Sequence, residues 1–311
     1  MNIINGKCLI LGGGGFIGAA VTERLIAEGV SLRVFDKNGV KPYRTFHDSE
    51  NVEWVTGNFQ DKVDLVSNLR DVDIVIHLIS STLPKSSNDA PIDDVEMNVI
   101  GTLRLLDAMR EAGVKRIIYA SSGGTVYGLP IAIPIKEDHP TQPEVSYGIT
   151  KLMVEKYLFL YNHLHEIEHL ILRIANPYGV GQRIETAQGA VAAFLHKAIN
   201  KTPIEIWGDG SVVRDYLHVA DVADAFAKAL IYRGDERIFN IGTGVGTSLN
   251  ELVSSIEEAV GYSVERRHLA SRKFDVPVNI LDNSLARTEL NWSPKIPLLQ
   301  GLSMTLASLD N

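Results

Sequence analysis

The stretch "CLILGGGGFIGAAVTERLIAEG", residues 8–29, restricts the fold more than any other. An apolar run fit for a buried strand ends in four glycines, and a helix-period segment follows. Gly12, Gly15 and Gly18 are spaced three apart. In a strand–turn–helix unit the first glycine permits the tight turn. The second lets the backbone approach a pyrophosphate, and the third allows close helix–strand packing. Free N–H groups at the helix start, around Phe16 and Ile17, then present a positive end to phosphate. Alone, such glycines make a turn and nothing more. Asp36 tips the reading, because it ends the next apolar run in "RVFDKN". A carboxylate there accepts bonds from ribose hydroxyls and repels a 2′-phosphate. The expected cofactor is therefore NAD rather than NADP, although Lys37 next to it opposes that choice.

The unit opens a series. Apolar runs at 7–11, 31–35, 52–56, 73–78, 116–120 and 169–174 alternate with helix-period segments at 15–28, 61–69, 91–112 and 147–164. Strands apolar on both faces and separated by helices predict an α/β fold, a Rossmann-like doubly wound parallel sheet. Such sheets bind ligands at the C-terminal ends of their strands. That adds Asn58 and Phe59 to the cofactor site, edging the adenine, and Leu78, Ile79 and Ser80 after the fourth strand. Past about residue 180 the rhythm loosens into helices near 186–200, 219–232 and 248–260, with short strands at 204–207 and 238–241. The expected organisation is an NAD-binding domain over 1–180 and a smaller C-terminal α/β substrate-binding lobe over 181–311, interleaved with the first.

Composition sets outer bounds. A net charge of −8 with no basic run suits neither nucleic acid nor an anionic membrane. No apolar stretch reaches 18 residues, and no leader-like segment is visible. Cys8 is the sole cysteine, inside a strand-like run, so it has no internal partner for a disulfide. A cytoplasmic protein is expected.

In "SYGITK", Tyr147 and Lys151 are four apart, which puts both on one face of a helix. A phenol titrates at about 10, so a base working near neutrality needs a shift of roughly three units. A neighbouring ammonium and a positive nicotinamide ring both favour phenolate. Ser122 ends the fifth apolar run, where its hydroxyl can reach the same substrate oxygen. A tyrosine and a lysine at this spacing are also common on plain helix surfaces. The glycine turn and the serine-bearing strand end argue for the catalytic reading.

With these residues in place, the chain resembles the NAD-dependent nucleotide-sugar epimerase/dehydratase family of extended short-chain dehydrogenases/reductases. "GGGGFIG", "MNVIGTLRLLDA", "TVYG", "SYGITK" and "LRIANPYGVGQ" follow in the family's order, and "IEIWGDGSVVRDYLHVADVADA" and "RKFDVPVNILD" resemble its nucleotide-binding half. The likeness spans nearly the whole chain and is greatest to the UDP-hexose 4-epimerases. It implies an isomerase with UDP-GlcNAc/UDP-GalNAc or UDP-Glc/UDP-Gal as substrates. Tyr147 would take the proton of the sugar 4-hydroxyl while hydride passes from C4 to NAD, and a transient 4-keto sugar would turn before the hydride returns. Lys151 would hold the nicotinamide ribose and lower the phenol's pKa. Asn98 would hold cofactor and active-site geometry. Ile206 or Trp207 would lie beside the base, Arg214 and Arg272 on the diphosphate, and Asn176 on a phosphate or the sugar. Asp275 and Asn279 join the substrate set. A homodimer is implied, pairing through the helices at 91–112 and 147–164. A nucleotide-sugar 4-keto reductase using NAD(P)H keeps the same residues and stands as the alternative, with a non-catalytic dinucleotide-binding protein behind it.

The glycine pair of "ASSGGTVYG" bears on the chemistry. Many 4-epimerases carry their catalytic hydroxyl where this chain has Gly123. Counted back from Tyr147, Ser122 falls at the usual distance, with Thr125 as the substitute. Dehydratases on this scaffold need an acid and a base at that turn, and "SSGGTVYG" has no carboxylate. Elimination and decarboxylation are therefore disfavoured. Arg272 sets the count for sugar size: seven residues on lies Asn279, smaller than the tyrosine that narrows some of these pockets, so N-acetylated sugars are expected to fit. His165 and His169 in "HLHEIEH" have metal-ligand spacing but no third ligand, and no metal is expected. The acidic "PIDDVE", 91–96, reads as a solvated helix start. The loop "STLPKSSNDAP" reads either as a flap near the sugar or as an ordinary turn-rich loop.

Overall fold

The computed structural model of the chain describes residues 6–80, 84–182, 189–271 and 276–309. In chain order the elements are β1 (Lys7–Leu11), α1 (Phe16–Ala27), β2 (Ser31–Lys37), β3 (Val52–Gly57), α2 (Lys62–Asn68), β4 (Val72–His77), α3 (Pro84–Asp89), α4 (Pro91–Asp94), α5 (Gly101–Ala112), β5 (Arg116–Ser122), α6 (Ser146–His165), β6 (Glu168–Ile174) and β7 (Asn176–Tyr178). They continue as α7 (Ala190–Ile199), β8 (Ile204–Trp207), β9 (Val213–Arg214), β10 (Tyr216–His218), α8 (Val219–Ile231), β11 (Ile238–Ile241), β12 (Thr247–Ser248), α9 (Leu249–Val260), β13 (Arg266–Leu269), β14 (Val278–Asn279), α10 (Ser284–Glu289) and α11 (Leu298–Ala307).

The expected doubly wound sheet is present. Seven strands lie in the order β11-β6-β5-β4-β1-β2-β3, and the pairs among β1 to β5 are parallel. β1, β2, β4 and β5 are largely buried on both faces, which is why they read as apolar runs, while the edge strand β3 is only partly covered. Leu9, Leu11, Phe35, Val75 and Ile117 from the sheet pack with Leu105, Met109 and Leu158 from α5 and α6. The segment expected as one helix over 91–112 is α4 and α5 with a π-helical turn at Val95–Ile100 between them. The switch point between β1 and β4, where the chain order reverses, is where such sheets take their ligand.

The chain divides into two compact units. Unit 1 is Met1–Gly128, Pro140–Arg173 and Ala223–Phe239, and unit 2 is Leu129–His139, Ile174–Val222 and Asn240–Asn311. Neither unit is continuous in sequence, and the chain passes between them several times. The core of unit 2 includes Leu195, Ile204, Ile206, Leu252, Ile256 and Leu302. Its helix α9 starts on a capping box in which Ser248 and Glu251 satisfy each other's backbone N–H.

Candidate active site

The glycine turn of unit 1 is built as its spacing requires. Gly12 sits at φ +86°, and a Cβ there would come 3.2 Å from the Ile79 backbone nitrogen. A Cβ on Gly18 would fall 2.1 Å from the Gly12 carbonyl oxygen, so α1 meets the turn with no room for a side chain. Gly15 caps α1 in extended conformation and offers no side chain to its first N–H groups. Those donors face an anion with nothing of their own in the way. Asp36, the penultimate residue of β2, accepts from the Gly14 N–H at 2.8 Å and from the Lys37 N–H at 2.8 Å. The glycine floor, the uncapped helix start and Asp36 together fit NAD. Asn58 is exposed, whereas Phe59 is buried against the His77 ring, 5.3 Å between centroids. Leu78 and Ile79 are partly buried, and Ser80 is exposed.

Tyr147 and Lys151 project from the first two turns of α6. The Lys151 ammonium donates to the Ala120 carbonyl at 2.8 Å, and it lies 4.9 Å from the Tyr119 ring centroid and 5.6 Å from that of Tyr147. Ala120 is two residues before Ser122, so this bond ties the lysine to the strand end that carries the serine. Ser80 hydrogen-bonds the Tyr147 side chain, which joins two of the expected positions. The electrostatics differ from expectation. Burial pushes the Tyr147 phenol up to about 12, the Asp94 charge adds to this, and the Ser80 bond opposes it. Burial brings Lys151 down to about 8 against the pull of Asp94 and Glu155. Desolvation of both groups outweighs the attraction between them.

Ser122 is partly buried at the end of β5, and Gly123 and Gly124 form the turn after it. The Thr125 hydroxyl is enclosed with no hydrogen-bond partner. A Cβ on Gly148 would come 2.8 Å from the Thr125 carbonyl oxygen, so that backbone is pressed against α6 beside Tyr147. Of the two hydroxyls, the one at Ser122 has access to a ligand.

Of the acidic stretch 91–96, Asp93 and Glu96 are exposed as a solvated helix start requires, and Asp94 alone departs. Asp94 is 0 % exposed and accepts from Asn98 Nδ2 at 2.7 Å, Ser146 Oγ at 2.8 Å and Thr150 Oγ1 at 3.1 Å. The π-helical turn sets Asn98 on the Asp94 carboxylate. From the preceding helix α3, Asn88 Oδ1 accepts the Ser146 N–H and Ser87 Oγ accepts the Tyr147 N–H, so a neighbouring segment caps a helix whose own N-cap is Val145. The sequence carried one signal for Asp94: it is four before Asn98, on the same helical face.

Unit 2 contains a cavity of about 450 Å³, lined in part by Asn176, Lys197, Glu205, Trp207, Arg214 and Tyr216. That is a usual size for a small-molecule site. Trp207 is 40 % exposed, while Ile206 is 0 % exposed in the core, so only Trp207 is open to a base. Asn176 donates to the Asp215 carbonyl at 3.1 Å. Arg214 donates to the carbonyls of Val213 and Val276, which fixes its guanidinium on the cavity wall. Tyr216, absent from the expected set, is 6 % exposed and its hydroxyl has no hydrogen-bond partner among the described residues. It follows Arg214 by two, and alternation along an extended chain turns both the same way. Arg272 and Asp275 lie outside the described residues. Asn279 is 1 % exposed in β14, opposite Arg214 in register. Its side chain is enclosed beside the strand that carries Arg214, and its place next to the sugar stays a proposal. His169 is likewise buried, its ring 4.4 Å from that of Phe159.

Comparison with known proteins completes the description. The model of the NAD dependent epimerase/dehydratase family matches residues 8–242. A putative UDP-glucose 4-epimerase of Methanocaldococcus jannaschii is 36% identical over 311 residues, covering 97% of this chain and 98% of that one. A dTDP-4-dehydro-6-deoxyglucose reductase of Escherichia coli is 35% identical over 312 residues, covering 97% and 96%. The crystal structure of the Thermotoga maritima UDP-glucose 4-epimerase with UDP-glucose superposes with a TM-score of 0.91 at 34% identity, covering 98% of each chain.

Proposed function

The chain belongs to the NAD-dependent epimerase/dehydratase family, and from that premise we propose that it is a 4-epimerase of UDP-hexoses. Tyr147 is the base. Its phenolate oxygen accepts the proton of the sugar C4 hydroxyl and later returns it. Ser122 donates to the same oxygen and holds it in line. Lys151, tied to the Ala120 carbonyl, keeps a positive charge beside the phenol. NAD, held by the α1 glycine turn and Asp36, supplies the place where hydride from C4 is stored. In unit 2, Trp207 offers a ring face to the base, and Arg214 and Tyr216 offer donors to the diphosphate or a sugar hydroxyl. The observation that carries this reading is the turn Gly123–Gly124. Directly after Ser122 it has no acid or base, so Tyr147 is the proton-handling group there and reversible oxidation at C4 needs no other.

Purified protein is expected to interconvert UDP-GlcNAc and UDP-GalNAc, or UDP-Glc and UDP-Gal, with no cofactor added. The 35% identity to a dTDP-sugar reductase favours a second reading, a nucleotide-sugar 4-keto reductase. Conversion that consumes stoichiometric NAD(P)H would establish that reading and overturn the first. Mass spectrometry of small molecules released by heat denaturation distinguishes them independently, since an epimerase keeps its NAD.

A further inference from the structure

We propose that Asp94 is a positioning residue that sets the rotation of α6 and so aims Tyr147 and Lys151; the proposal rests on the reading of Tyr147 as the base. Asp94 is fully enclosed, although a carboxylate in the first turn of a helix is ordinarily solvated. One of its oxygens takes the Asn98 amide, from the π-helical turn. The other takes the hydroxyls of Ser146 and Thr150. Those two residues immediately precede Tyr147 and Lys151. On an α-helix, positions four apart share a face, and the next residues lie about 100° further round. A carboxylate gripping 146 and 150 therefore fixes the azimuth of 147 and 151 without touching either one's reactive atom. Burying a carboxylate is costly unless donors satisfy it, and here Asn98, Ser146 and Thr150 each belong to a segment that must be held still.

The charge of Asp94 has a second effect that a neutral clamp lacks. It favours the Lys151 ammonium and disfavours the Tyr147 phenolate. Other groups face the pair: Glu155 on α6, Tyr119 on β5, His77 on β4 and Ser80 after β4. None of these bonds to both Ser146 and Thr150.

Asp94→Asn keeps shape and removes charge. The Asn amide can donate to the two hydroxyls, which rotate to accept, so α6 keeps its place. Loss of the charge lowers the pKa of both Tyr147 and Lys151, and both limbs of the kcat–pH profile move to lower pH by roughly half a unit or more. KM for the UDP-sugar stays within about twofold, because unit 2 residues hold the nucleotide. An ultraviolet difference titration reads the phenol directly, comparing Asp94→Asn with and without Tyr147→Phe; the Tyr147 increment moves to lower pH. Ser146→Ala removes one grip and leaves the charge, so kcat falls roughly threefold to tenfold with the limbs unmoved. Ser146→Ala also serves as the foldable test should Asp94→Asn not fold. An Asp94→Asn profile unmoved in position, or a loss carried in KM, overturns the proposal, as does unchanged kcat in Ser146→Ala. Failure of the base assignment is separate: it shows as undiminished turnover in Tyr147→Phe with Asp94 intact.

Discussion

At the scale of residues, the phenol at Tyr147 is the group on which the proposed chemistry turns. Before any ligand charge is added, burial holds it near 12 and holds Lys151 near 8. An enzyme working near neutrality needs the phenol brought down by added positive charge, which a bound nicotinamide ring supplies. Tyr147→Phe is expected to lower kcat by roughly 10²-fold or more with NAD still bound, since the ring stays and only the proton carrier goes. Steady-state kinetics beside a released-cofactor assay check this; unchanged turnover removes Tyr147 from the mechanism. Lys151→Met removes a cation beside the phenol, so the phenol's pKa rises and the limb of the kcat–pH profile that needs phenolate moves to higher pH. A limb that stays put would show that the ammonium does not act on the phenol. The shared face of Tyr147 and Lys151 on α6 was legible in the sequence because four-residue spacing is a property of the helix itself. Asp94 was not, because charge near a helix start is normally solvated, and only the tertiary placement of Ser146 and Thr150 reverses that. Tyr216 and the burial of Asn279 were missed for the same reason: which face of a short strand is enclosed depends on partners distant in sequence.

At the scale of elements, β1, the glycine turn and α1 form one unit whose geometry leaves no slack. Gly18→Ala puts a methyl 2.1 Å from the Gly12 carbonyl oxygen, so α1 must shift away from the turn. The expected result is protein purified without NAD and with a lowered Tm, read by cofactor release and by calorimetry. The end of β4 predicts an acid response. The Thr102 hydroxyl donates to the Asn98 carbonyl at 2.6 Å, so His77 Nε2, 2.9 Å from that oxygen, must be the protonated nitrogen. Its Nδ1 is enclosed with no partner, and a second proton there would be a buried charge near Lys151. Burial accordingly brings His77 down to about 3, and His169 down to about 4. Below about pH 6.5 the unfolded chain takes up protons that the folded chain refuses. Stability is therefore full above that value and falls as pH drops towards these folded-state values, by up to about 1.4 kcal/mol per pH unit for each group. His77→Gln is expected to have a lower Tm at neutral pH but a shallower decline between pH 6.5 and 4.5; an equally steep decline would clear His77 of the effect. The strands and most helices were readable as runs and periods. The π-helical turn was not, since one extra residue in a turn leaves the apolar pattern almost unchanged.

At the scale of the whole molecule, the sheet was foreseeable, and so was an interleaved second lobe, but not the points at which the chain crosses. Ile238–Ile241 reads as a strand, but nothing local says that it completes the sheet beside β6. Pairings between distant segments decide which unit a stretch joins. Assembly is the remaining question at this scale, and the surface of unit 1 argues for a twofold pair. Met97 and Ile100 on the π-helical turn, and Ile149, Leu160 and Leu164 on α6, are all exposed. On α6 the three recur at helical spacing along one stripe, and Met153 and Lys156 fall on it between them. A single exposed apolar residue needs no explanation, but a stripe across two adjoining elements marks a contact surface. The stripe has few charges, and a self-complementary patch of this kind closes most simply with a second copy of itself. We therefore expect a homodimer, with a light-scattering mass twice the 34.2 kDa of the chain at micromolar concentration. Leu160→Glu combined with Leu164→Glu sets like charges against each other across the twofold axis and should shift the mass to that of one chain. NAD should stay bound, because neither residue belongs to the cofactor site. A single-chain mass for the unaltered protein would overturn the assignment. A dimer that survives the double substitution would place its interface elsewhere than α6.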